Sequence, residues 1–197
     1  MMSSINLEYS KLQYKADFVF YAMLVLAVIT YLVVFAVNNN WTGNALLLLS
    51  LAVGLFSWSL IEYLIHRFVL HGVQPFKRWH LEHHARPTAL IGAPTLLSSG
   101  LIFSLVFLPA WVLMSLQSAA ALTLGILAGY LAYGAVHHGV HHWRVTSAWL
   151  KKRKLWHALH HHPSNAKTPG RYGVSTSFWD HVFGTLNPRF ASDEHKD

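Results

Sequence analysis

Ten histidines of this 197-residue chain fall into four clusters: His66/His71, His80/His83/His84, His137/His141 and His157/His160/His161. There are fifteen histidines in all and no cysteine. Imidazole suits iron, zinc and copper, and neutral nitrogens can hold two cations without carboxylates. With no thiolate available, nitrogen and oxygen must supply the ligands. Two clusters share one spacing, His80-Leu-Glu-His-His84 and His157-Ala-Leu-His-His161. On a helix, positions i, i+3 and i+4 lie on one face, so three rings converge. His137 and His141 are one helical turn apart, but His138 and His142 have the same spacing, and the residues alone leave both registers open. His162 is an equivalent neighbour in the last cluster. His66 and His71 are five apart, which a continuous α-helix splays by about 140°. Their helix is therefore expected to end or loosen near Phe68–Leu70. His181 and His195 stand alone and read as supporting or surface groups. One triplet can arise by chance; two triplets and two pairs predict a dinuclear metal site.

The elements that must position these rings are membrane spans. Residues of the hydrophobic set make up 53% and charged residues only 12%, about half the charged fraction usual in soluble domains. Mean hydropathy is +0.33. After a tail over 1–17, four apolar runs occupy about 18–37, 45–65, 96–116 and 119–136, each close to the roughly 20 residues that cross a bilayer. The first is too long for a signal-peptide core, and its flank mixes Glu8 and Asp17 with Lys11 and Lys15. The loop Asn38–Asn44 and the link at Gln117–Ser118 contain no Lys or Arg. All fifteen basic residues lie in the remaining segments, which the positive-inside rule puts in the cytoplasm together with all four clusters. That orientation also accounts for the net charge of +7, so no nucleic-acid partner is expected. The chain is predicted to be one all-α membrane domain over 1–197: four transmembrane helices with a cytoplasmic histidine-rich cap holding the dinuclear site.

Four smaller features fit this frame. Pro109 is expected to kink the third span. Gly125 and Gly129 allow a close helix approach, within the bundle or between copies. Asn40-Trp41-Thr42 matches a glycosylation acceptor. The run from Trp149 to Trp156 carries four cations between aromatic ends and is expected to lie in the headgroup plane.

The ordered motifs resemble the fatty acid hydroxylase and sterol desaturase superfamily, and most closely its fatty acid 2-hydroxylase branch. They are Ile61-Glu-Tyr-Leu-Ile-His-Arg-Phe-Val-Leu-His71, His80-Leu-Glu-His-His84, Gly129-Tyr-Leu-Ala-Tyr133 leading to His137 and His141, and His157-Ala-Leu-His-His161. Gly173-Val-Ser-Thr-Ser-Phe-Trp-Asp180 and Phe183-Gly-Thr185 follow, and together they cover about 57–188. The resemblance implies that His66, His71, His80, His83, His84, His137, His141, His157, His160 and His161 are the ligands. It also selects the His137/His141 register. Gly134 stands where the family usually has Asp, which removes one expected supporting contact. Glu62, Glu82 and Asp180 are expected to support ligands by hydrogen bonding to distal ring nitrogens.

The implied activity is dioxygen-dependent hydroxylation of an unactivated C–H bond in a membrane lipid, expected at its acyl chain. The implied cofactors are two transition-metal ions, iron in the active form and zinc a competitor in purified material. The sequence holds no fused cytochrome b5-like domain, so the electron donor is expected to be a separate cytochrome b5-like or ferredoxin-like protein. The expected location is a bacterial inner membrane, with the endoplasmic reticulum as the alternative. Rival readings are a sterol or carotenoid hydroxylase or desaturase, a metal transporter or metal-storing protein, and a non-catalytic lipid-binding homologue. A transporter would place ionisable groups along a mid-membrane path, whereas Glu62 is the one charged residue well inside these runs.

Overall fold

Ser10 and Gln13 cap the first helix reciprocally: the Gln13 amide donates to Ser10 Oγ at 3.2 Å and the Ser10 amide to Gln13 Oε1 at 2.8 Å. In this computed structural model the described residues are 8–38, 41–144, 146–162 and 169–186. Helix α1 spans Lys11–Val37 and α2 Trp41–Leu64, with a π-helical turn over Ile65–Leu70 continuing α2. Next come α3 (Phe76–Ala85), α4 (Thr95–Ile102), a second π turn (Phe103–Phe107) and α5 (Leu108–Leu113). The chain continues through α6 (Leu116–His142), α7 (Ala148–His161) and the short α8 (Phe178–Val182).

Four helical stretches are long and apolar enough to cross a membrane: Lys11–Val37, Gly43–Leu70, Thr95–Leu113 and Leu116–His142. Large apolar side chains along them face outward, as Val112 does at 84% exposure. Lipid makes that arrangement favourable where water would not. Both the second and fourth stretches run past the apolar run that predicts them, because their histidine-bearing ends stay helical. Pro109 falls in the first turn of α5, directly after the π turn. Its missing N–H is thus accommodated by a change of helical winding.

The chain divides into two compact units, Met1–Trp58 with Ala89–Leu131, and Ser59–Thr88 with Ala132–Asp197. In the first, Leu32, Leu47, Ala120, Ala121 and Leu124 form the core of α1, α2 and α6. A Cβ on Gly125 would lie 2.3 Å from the Leu51 carbonyl oxygen, and one on Gly129 2.5 Å from the Trp58 ring. The glycine pair is therefore used within the bundle, letting α2 and α6 touch backbone to backbone. Tyr21 is buried, reaches Ser98 Oγ at 2.7 Å and packs edge-on to Tyr130.

The second unit contains the end of α2 with its π turn, α3, the C-terminal part of α6, α7, the loop before α8, and α8 itself. All four histidine clusters belong to it. In α7 the basic run is divided: Trp149 and Leu155 are more than half exposed, while Arg153 is buried and donates to Ser177 Oγ at 3.2 Å. The glycosylation candidate Asn40, like His195, lies outside the described residues.

Candidate metal centre

Each histidine cluster sits on an element whose winding suits its spacing. The π turn carries His66 and is capped by His71. Turns of i→i+5 type bring residues five apart onto one face, and the two rings lie 5.3 Å apart with planes 30° from parallel. This is the physical form of the loosening expected near Phe68–Leu70. The α3 triplet, the α7 triplet and the last turns of α6 supply the rest at ordinary helical spacing.

The rings gather into two groups. His66, His71, His80, His84 and His160 form one, and His83, His141, His157 and His161 the other; in each, one ring nitrogen per residue lies within 4.8 Å of the rest. His137 adjoins the second group, its Nε2 3.1 Å from that of His83 and its ring 4.9 Å from that of His157. The groups meet where His84 and His161 stack at 4.2 Å.

The nitrogen contacts point to a cation. His66 Nε2 and His84 Nε2 each lie 3.0 Å from His80 Nε2. His141 Nε2 and His161 Nε2 lie 2.8 and 3.0 Å from His157 Nε2. One N–H at the central nitrogen can satisfy only one neighbour, which leaves bare lone pairs facing each other. Two imidazoles bound to one ion at about 2.0–2.1 Å place their nitrogens roughly 3 Å apart when the bonds meet near a right angle. The donor set therefore fits transition-metal ions, and His66, His80 and His84 on one side and His141, His157 and His161 on the other have the needed approach.

Burial keeps these rings neutral and able to coordinate. Desolvation first, then repulsion by neighbouring imidazoles, lowers His71 and His84 to about 4, His83 to about 3 and His161 to about 2. His80, His157 and His160 are lowered for the same reasons. Metal-free protein is consequently expected to lose stability as pH falls from the ordinary 6.5 towards about 4. Across that window the unfolded chain binds protons that folded His71 and His84 refuse, so the unfolded state gains. Denaturant titrations of metal-free protein at several pH values test this; a midpoint that rises on acidification contradicts it.

Main-chain carbonyls, rather than carboxylates, hold the distal nitrogens of His66 and His160. His66 Nδ1 lies 2.5 Å from the Tyr172 carbonyl oxygen and His160 Nδ1 2.8 Å from that of Gly170. Each Nδ1–H donates there, which turns a bare Nε2 towards the other histidines. The loop carrying these carbonyls hangs on two buried carboxylates. Glu62 Oε1 accepts the amides of Val174 and Ser175, both at 2.8 Å, and Glu62 Oε2 accepts the Ser175 hydroxyl. Asp180 accepts the Tyr172 and Gly173 amides, both at 2.8 Å, and the Thr185 hydroxyl at 2.6 Å. Buried Arg153 faces these two carboxylates as countercharge.

The roles expected of the three carboxylates therefore change. Glu62 and Asp180 reach the histidines only through the loop backbone, because each spends its oxygens on amides and hydroxyls. Glu82 lies on the outer face of α3 and pairs with Arg86 at 2.8 Å, half exposed, one turn on. In α6, His137 and His141 face the groups, while His138 and His142 stack on each other at 4.4 Å. Tyr133 stacks on His137 at 5.7 Å. His181 Nδ1 donates to the Ser177 carbonyl of its own turn. Tyr172, Gly170 and Arg153 had no signal in the sequence: two act through backbone, and the third is one cation among four.

The described residues are helical, with four helices long and apolar enough to cross a membrane and two histidine groups that could hold metal ions, the features of a membrane metalloprotein. A family model for fatty acid hydroxylases matches residues 51–185. The chain is 33% identical over 153 residues to a dihydroceramide fatty acyl 2-hydroxylase of Arabidopsis thaliana, covering 70% of this chain and 60% of that protein. Against a ceramide very long chain fatty acid hydroxylase of Schizosaccharomyces pombe it is 33% identical over 157 residues, 70% and 42% of the two chains. Against the fatty acid 2-hydroxylase of Homo sapiens the identity is 30% over 149 residues, 69% and 39%. The chain thus spans between 39% and 60% of these relatives' own lengths. The solved hydroxylase domain of full-length scs7p superposes with a TM-score of 0.68 at 28% identity, over 85% of this chain and 66% of that one. This chain belongs to the fatty acid hydroxylase family.

Proposed function

We propose that this protein is a membrane-bound hydroxylase of lipid acyl chains that uses dioxygen and two metal ions held by the ten clustered histidines. The observation that carries this reading is the convergence of Nε2 atoms at 2.8 to 3.1 Å in two adjoining groups. The names of the relatives, fatty acyl and ceramide hydroxylases, supply the substrate class.

Two iron ions bound there would supply the chemistry that puts one oxygen atom of O2 into a C–H bond, the other leaving as water with two electrons and two protons from a donor. The chain's own part is to present neutral imidazoles, hold their tautomers and keep water out. His66 and His160 are fixed by carbonyls, and both are buried. Zinc is expected to compete for the same nitrogens during purification. A separate electron-transfer protein of cytochrome b5-like or ferredoxin-like type is proposed as donor.

The clusters are proposed to face the cytoplasm, the side to which the basic segments are assigned. Reporter fusions after Asn40 and Gln117 should read as non-cytoplasmic, and fusions near Gln74 and Asp197 as cytoplasmic. Gln74 and Gln117 reading on one side would break the four-span topology. The activity itself is tested by comparative lipid mass spectrometry of cells with and without the gene. The expected result is one added oxygen on the acyl part of a defined lipid class. Unchanged acyl chains, or oxygen added to a sterol or carotenoid instead, would overturn the assignment.

A further inference from the structure

We infer that Asp180 strengthens one of the two metal positions through a single peptide group, so that the positions are unequal and the one built on His83 and His161 is the labile one. This rests on the two-ion reading above. The peptide group is the one joining Tyr172 to Gly173. Its carbonyl accepts His66 Nδ1–H at 2.5 Å, and its N–H donates to Asp180 Oδ2 at 2.8 Å. Carboxylate, amide and imidazole are thus in series. A buried negative charge on the N–H side polarises the amide, makes its carbonyl a stronger acceptor and makes His66 Nε2 a stronger ligand. Asp180 is fully buried, so water does not dilute this effect.

A second chain of bonds ends at the same residue. The amide joining Gly170 to Arg171 accepts His160 Nδ1–H at 2.8 Å and donates from Arg171 to the Thr185 carbonyl at 3.1 Å. The Thr185 amide in turn donates to the Asp180 carbonyl at 2.9 Å, and its hydroxyl to Asp180 Oδ1 at 2.6 Å. Gly173 is what allows the carboxylate so close: a Cβ there would lie 1.9 Å from the Thr176 carbonyl oxygen and 2.9 Å from Asp180 Oδ2.

Both imidazoles supported in this way, His66 and His160, belong to the same five-histidine group. In the other group the Nδ1 atoms of His83 and His161 are buried with no hydrogen-bond partner among the described residues. Among the described residues nothing fixes their tautomers, and no acceptor there raises the basicity of their Nε2 atoms. Asp180 is accordingly a positioning residue for one metal ion, and among the described residues no such chain of bonds reaches the Nδ1 atoms of His83 and His161.

The test is stepwise removal of zinc from the full chain in detergent by a chelator, with metal counted per chain. Wild-type protein should release its ions in two steps separated by about tenfold or more in chelator strength. His161→Gln should remove the early step and keep the late one. Asp180→Asn, which keeps size but loses the charge, should weaken the late step by about 10- to 100-fold, with the early step and the helical circular dichroism unchanged. A purely structural role would move both steps together. If Asp180→Asn does not fold, the wild-type and His161→Gln titrations decide alone. Two ions released in one step, a late step lost in His161→Gln, or a late step unmoved in a folded Asp180→Asn protein would each overturn the inference. A wild-type chain that never binds two ions would overturn the two-ion reading and this inference with it.

Discussion

Alanine at His160 is expected to leave one metal ion per chain and no measurable hydroxylation. This side chain is completely buried, its Nε2 lies 3.1 Å from that of His71, and its Nδ1 is tied to the Gly170 carbonyl. Removing the ring takes a ligand from the five-histidine group and strips the Gly170 carbonyl of its donor, a penalty of about 1–3 kcal/mol by itself. His83→Ala should have the matching effect on the other group, because His83 Nε2 is within 3.1 Å of His137 Nε2 and its ring packs against His141 and His161. Each single variant keeps the opposite ion, and the double variant keeps neither. Both singles should lose activity, because the proposed hydroxylation uses both ions. Metal analysis beside a product assay checks all three proteins. Full metal content in either single variant would remove that residue from the ligand set. His195→Ala, by contrast, should keep both ions.

The second large effect separates two registers in α6. Glutamine at His137 or His141 keeps polarity and approximate size but loses the imidazole, so metal and hydroxylation should both fall steeply, activity to background. The same change at His138 or His142 should leave metal content near that of the unaltered protein. These residues lie about 100° around the helix from the first pair. They stack on each other at 4.4 Å, and His138 packs edge-on to Trp143, whereas His137 and His141 point at His83 and His157. The reverse pattern of loss would shift the register by one residue and displace the family motif in this span.

The convergence of the histidine clusters was legible because side-chain type and spacing are both written in the chain. The spans were legible for a similar reason, since Val19, Leu48 and Leu105 need no partner beyond lipid. What the residues concealed lies in the backbone. A π turn at Ile65–Leu70 carries no composition signal, so the five-residue spacing of His66 and His71 showed only that a regular helix would fail. Tyr172 and Gly170 hold His66 and His160 with carbonyls that every residue possesses. Glu62 misled through sequence proximity. One turn from His66, it reads as that ring's partner, yet it binds amides 112 and 113 residues away. Glu82 sits inside a histidine triplet but on the opposite face of α3, where Arg86 takes it.

Counting metal in the unaltered protein is the most direct test of the dinuclear account. Full-length chain purified in detergent after growth in iron-supplemented medium should hold two transition-metal ions per chain, iron and zinc together, by elemental analysis against quantitative amino-acid analysis. One ion, or none, would contradict it, whatever lipids the cells are found to contain.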